Sequence, residues 1–185
     1  MVSEDTWPLA LNTFVQREHL VGPAFVQDGW AGPYLGLRYP EERVFFHPAY
    51  ESYSVEFFRN SYMRTRDGEP GWEETLARHG VALVMMKYTS PRERARQEGR
   101  PNLRARLAES AAWALVAFDD HGEIYVRREG ANHEAAERLG ILGVDPDRLA
   151  LSRNHSVAHR SLSDFATRRL PSTRLDHLLA ASRTE

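Results

Sequence analysis

The chain has 185 residues, 42% hydrophobic and 27% charged, with a formal charge of −2 at neutral pH. That length supports one ordinary domain with a real core, and the composition excludes wholesale disorder. Cysteine is absent, which excludes disulfides, thiolate metal sites and a cysteine nucleophile.

Residues 1–19 carry Glu4 and Asp5 where an export signal needs basic residues, and Asn12, Gln16 and Arg17 interrupt the apolar run. The segment is read as a docking arm without a signal. No window approaches the roughly twenty apolar residues that cross a bilayer, so a soluble or peripheral chain is expected. The missing signal favours the cytoplasmic side of a membrane, with the periplasmic side as the alternative.

Apolar runs rich in β-branched and aromatic residues predict strands at 20–27, 43–47, 81–87, 112–118 and 124–128. Helical patterns lie between them at 31–39, 55–66, 72–79 and 91–109, the last broken near Gly99 and Pro101. Strands alternating with helices predict an α/β fold, a small mixed and mostly parallel sheet of about five strands flanked by helices. "VALVMMK" is apolar almost throughout and fits the middle strand, buried on both faces. "AFDDHGEIYVRR" closes the sheet as an edge hairpin, with Asp119, Asp120 and Gly122 supplying its turn.

Residues 20–130 thus form the α/β domain, and 131–185 a helical extension without a strand pattern. Within the extension, 161–170 and 172–180 read as capped helices with Leu162, Phe165, Leu170, Leu175, Leu178 and Leu179 on their apolar faces. Arg153, Arg160, Arg168, Arg169 and Arg174 keep another face charged.

Between Lys87 and Arg106 stand seven basic residues against Glu93 and Glu98, the surface best suited to an anionic partner. At its start "MMKYTSPRER" runs a buried strand into Ser90 and Pro91, an N-cap and a first helical position. Two readings stand there: a capped helix start with solvated basic residues, or an anion site built from Lys87, Tyr88, Ser90 and Arg92. His47, at the end of another strand, is the fifth candidate ligand-binding residue.

Other patterns carry less chemistry. Gly29, Gly32 and Gly36 lack dinucleotide spacing; Gly32 and Gly36 read as a close helix–sheet approach beside Trp30 and Tyr34. His155 and His159, four apart, lack the glutamate of a zinc-protease motif. The pairs Glu41 with Glu42, Glu73 with Glu74 and Asp119 with Asp120 are adjacent, so they point apart rather than forming an acid/base dyad. No nucleophile elbow or phosphate loop occurs, so no catalytic residue, metal or cofactor is assigned. Basic and aromatic residues are not interleaved along a strand, which leaves nucleic acid without a platform.

The order of motifs resembles a soluble region at the C-terminus of bacterial polytopic membrane glycosyltransferases of the dolichyl-phosphate-mannose-dependent mannosyltransferase type. The matching residues are Trp30, Gly32, Tyr34 and Leu35, then Pro40, Glu41, Val44 and Phe45, then Trp72, Leu76, Gly80 and Val81. Trp113, Leu115, Val116, Asp119, Asp120, Tyr125, Val126 and Arg127 complete the set, which spans residues 21–130. The family's acidic-glycine-arginine strand end is replaced by His47, Pro48 and Ala49, and the membrane part that holds the transferase chemistry is absent. The resemblance therefore implies a fold and an association with membranes rather than an activity.

Together these readings predict a non-catalytic, membrane-extrinsic accessory or stabilising subunit of an integral-membrane assembly, whether glycan, respiratory or photosynthetic. The alternative is a sugar-phosphate-binding domain or enzyme associated with envelope glycosyl transfer.

Overall fold

Leu83–Lys87 (β2) is apolar at four consecutive positions, and all four are buried. A strand of that kind needs cover on both faces, and the chain supplies it from both directions. A computed structural model describes residues 8–27, 45, 53–90, 99, 102–152, 154–168, 170 and 172–183. The predicted helix 31–39, most of the predicted strand 43–47 and the predicted helix start at 91–98 lie outside them.

Leu9–Arg17 (α1) comes first, followed by Ala24–Val26 (β1). A second helix, α2, runs through Val55–Phe57, a π-helical stretch Phe58–Met63 and Arg64–Arg66, with the Ser54 hydroxyl accepting from Phe57 N–H at its start. Trp72–Arg78 (α3) leads into β2. Leu103–Glu109 (α4) is capped by Asn102, whose side chain accepts from Ala105 N–H. Trp113–Phe118 (β3) and Gly122–Arg127 (β4) form the predicted hairpin. His133–Leu139 (α5), the short strands Val144–Asp145 (β5) and Ala150–Leu151 (β6), then His155–Ala166 (α6) and Thr173–Ala181 (α7) complete the chain.

The main sheet has the order β1-β2-β4-β3, with β1 parallel to β2 and both other pairings antiparallel. It therefore has four described strands rather than about five, and it is mixed rather than mostly parallel. The reason is the docking of the hairpin. Its second strand, β4, lies against β2, so the hairpin contributes two antiparallel ladders where a crossover would have contributed a parallel one. Phe45, within the predicted strand 43–47, donates its N–H to Ala24 C=O at 2.7 Å on the outer side of β1.

Opposed residues in a ladder share a face, so Phe25, Val84 and Tyr125 line one side of the sheet. On that side Phe25 stacks on Tyr62 of α2, with ring centroids 5.6 Å apart, and tilts against Phe45 at 5.4 Å. Such ring pairs add about 0.5–1.5 kcal/mol each beyond area burial. Gly68, after α2, holds φ +65, and a Cβ there would come within 2.5 Å of the Asn102 carbonyl carbon, so only glycine lets the turn press against the start of α4.

Leu11, Phe14 and Val15 of α1 are buried in the same core as the sheet, so one face of this helix packs inward. At the other end of the chain an expectation needs revision. The stretch after residue 133 does hold strands, β5 and β6 forming a two-stranded ladder. Each is only two residues long, too short for a period-2 pattern to show in the sequence. The expected helix at 161–170 starts earlier, at His155, where Asn154 caps it by accepting from Val157 N–H.

Candidate functional site

The sequence-predicted anion site sits at the end of β2, where the structure gathers polar side chains from four separate elements. Arg104, on α4, is the hub, and its side chain is 11% exposed. Its Nε donates to Glu123 Oε1 of β4 and its Nη2 to the Lys87 carbonyl. Nη1 donates to Thr89 Oγ1 at 2.8 Å and lies 3.5 Å from Asp147 Oδ2. Asp147 belongs to the turn between β5 and β6, and its Oδ1 accepts from Thr89 N–H at 3.0 Å. One guanidinium therefore ties β2, β4, α4 and the C-terminal extension together.

Glu123 is fully buried, and its Oε2 has no hydrogen-bond partner. Burial pushes its carboxyl up to about 7; Arg104 pulls it back only in part, while Asp145 and Asp147 push it further up. For Arg104 burial alone would favour loss of the proton, but Glu123 and Asp147 outweigh it and hold the guanidinium charged. Tyr125, next but one along β4, is pushed well above the ordinary phenol by burial and by Glu123.

Because the folded Glu123 carboxyl keeps its proton to about pH 7 and the unfolded one releases it near 4.5, the folded chain binds more protons between those values. Stability is expected to fall as pH rises through that window and to level off above it. Urea unfolding at pH 5, 6, 7 and 8 should show this slope as the difference between the native chain and Glu123→Gln. Parallel curves for the two proteins would show that Glu123 does not titrate there.

Of the predicted residues, Lys87 and Tyr88 take part in this cluster. Lys87 contributes its carbonyl. The Tyr88 hydroxyl donates to Gly122 C=O at 2.9 Å, and its ring lies under the Arg174 guanidinium at 3.8 Å. Arg174 also donates Nη1 to Pro146 C=O at 2.8 Å. Ser90 is exposed, while Arg92 and His47 lie outside the described residues. Arg104 belongs to the basic stretch expected at the surface, yet it points inward, and Arg106 Nε reaches Gly68 C=O at 3.3 Å. Arg174, expected on a charged outer face, is likewise spent on Tyr88 and Pro146.

Asp119 behaves as turn chemistry predicts, its Oδ1 accepting from His121 and Gly122 N–H at 2.7 and 3.1 Å. Asp120 does more. Its carboxylate accepts from the N–H groups of Thr173 and Arg174, both at 3.0 Å, at the first turn of α7. Burial alone would raise its pKa, but these bonds and those from Ser172 and Thr173 hydroxyls lower it. His159 Nδ1 lies 2.7 Å from Ser182 Oγ, joining α6 to α7. Among the described residues no three His, Asp or Glu side chains gather as a metal site.

Glu123, Arg104 and Asp147 were missed by sequence reasoning, although one signal was present. In "GEIYVR" a glutamate alternates in phase with Tyr125 on a strand of the hairpin, and a charge in phase with a core position needs a buried partner. Comparison of the chain with protein-family models, with curated proteins and with solved structures finds no match.

Proposed function

We propose that this chain is a non-catalytic module that works by protein–protein contact, as a membrane-extrinsic accessory or stabilising part of an integral-membrane assembly. One observation carries the reading. Four large apolar side chains stand exposed among the described residues, and three belong to the C-terminal extension: Leu142 at 50%, Leu149 at 39% and Val157 at 37%. Leu142 donates its N–H to the hydroxyl of Ser161, which stands one helical turn from Val157 on α6, so the backbone at Leu142 is fixed to that helix. Leu149 holds φ +52 at the β5–β6 turn, a left-handed conformation that disfavours a leucine. Exposed apolar groups held on an ordered frame are what a docking surface offers.

Two further facts support it. The described polar groups at the end of β2 are largely spent on internal bonds, which makes that cluster a clamp for the extension. No described helix is long and apolar enough to cross a bilayer, which suits a part that touches a membrane assembly from outside it. The membrane setting itself rests on the family resemblance.

The test is cross-linking and mass spectrometry in the source membrane, comparing the native chain with Leu142→Glu/Val157→Glu. The reading expects cross-links from residues 142–157 to an integral-membrane protein. They should disappear in the variant while the melting temperature changes by no more than about 2 °C, as for substitutions away from the core. Cross-links that persist in the variant, or that never reach a membrane protein, would overturn it.

A further inference from the structure

A second concave surface lies where α1, α5 and α6 end, a cleft of about 600 Å³ that includes Arg17, Arg138 and Arg168 in its lining. We propose that this cleft binds a phosphate-type oxyanion, with the three guanidiniums as its donors. The proposal is independent of the docking surface and involves none of its residues.

Each arginine is held in place while part of its donor fork is left over. Glu18 stands between two of them, with Oε1 accepting from Arg17 Nε at 2.9 Å and Oε2 from Arg138 Nη1 at 3.0 Å. A guanidinium carries five N–H donors, so both keep donors beyond this shared carboxylate. Glu18 itself is the precedent, a two-oxygen acid held by one arginine on each side.

Arg168 is anchored differently. Its Nη1 donates to Val116 C=O at 3.0 Å and to Leu139 C=O at 2.7 Å. Val116 lies at the irregularity in the β3–β4 ladder, between Leu115 and Ala117, so its carbonyl is freed to accept. Leu139 is the last residue of α5. Two backbone carbonyls fix this guanidinium without a carboxylate in hydrogen-bond contact, and its Nε and Nη2 make no protein hydrogen bond among the described residues.

Helix C-termini attract arginine on their own, and three helices end here. That attraction accounts for a basic residue at each end. It does not account for three cations gathered on one cleft with Glu18 and Asp164 as the acids beside them, two against three. Burial makes the charged form of Arg168 harder to hold; Glu18 and Asp164 offset this only in part, and Arg138 and Arg17 add to it. An oxyanion relieves this crowding. Phosphate suits the site because its oxygens can take several N–H donors at once, and charge-assisted bonds to guanidinium are the strong kind.

Calorimetric titration of the full chain tests this with two probes: inorganic phosphate, and phosphatidylcholine vesicles with and without phosphatidate. The expected result is saturable phosphate binding that weakens about tenfold in Arg138→Gln and in Arg17→Gln, but not in Arg64→Gln, an exposed arginine elsewhere. Binding only to phosphatidate vesicles, with the same pattern among variants, assigns the oxyanion to a lipid headgroup and sustains the site. No saturable binding of either probe up to roughly 10 mM phosphate, or binding that all three variants retain, overturns it.

Discussion

Arg104→Met is expected to destabilise the chain by about 3–5 kcal/mol at pH 7, because it leaves the buried Glu123 carboxylate without its cation. The substitution removes the donors to Glu123, Thr89 and Lys87 together and takes the cation away from Asp147. Glu123 has one escape: it can take up a proton. The loss should therefore shrink toward pH 5, where protonation costs little, and grow above pH 7. A second substitution separates pairing from packing. Arg104→Met/Glu123→Leu should recover much of the loss, since exchanging a buried ion pair for apolar groups of similar volume is often neutral or favourable. Urea unfolding of both variants decides the matter. If Arg104→Met alone costs less than about 1 kcal/mol, the pair is not a clamp and the extension is held by its packing and its other polar contacts.

That contrast also shows what the sequence could reveal and what it could not. The described helices at 55–66 and 72–78, the central position of "VALVMMK" and the β3–β4 hairpin were legible because long apolar runs and turn residues report local structure directly. The pairing of β4 with β2 was not, since register between distant strands is set by tertiary contacts that leave no local pattern. The candidate site follows the same division. Its position at the end of β2 was readable from the strand running into Tyr88, Thr89 and Ser90. Its composition was not, because Arg104 looks like one more arginine in a basic run and Asp147 looks like a turn residue in "GVDPD". Only the fold brings Arg104 to Glu123, and it does so by closing the site inward. The cleft lined by residues 17, 138 and 168 was unreadable for a further reason: those positions are too far apart in sequence to form a motif.

The extension offers the sharpest test of how far the core reaches. Phe165→Ala is expected to cost about 3–5 kcal/mol, the range for deleting a fully buried phenyl ring, in part through the cavity it leaves. Phe165 has no exposed surface; it stacks on Phe118 of β3 with centroids 4.6 Å apart, and the Arg168 guanidinium lies 5.4 Å over its ring. Leu162, Leu175 and Leu178 belong to the same core cluster, so α6 and α7 are packed against the sheet and not merely tethered to it. For a chain of this size the change should lower the melting temperature by on the order of 10 °C, in one transition shared by the sheet and the extension. An extension that did not pack on the domain would instead melt separately and leave the sheet's transition in place. Differential scanning calorimetry distinguishes the two. Two resolved transitions, or a shift below about 2 °C, would show that Phe165 does not join the extension to the core. A single lowered transition would make residues 155–181 part of the folding unit. The exposed Leu142 and Val157 would then be presented by a rigid body, which is the condition a docking surface needs to bind without first being ordered.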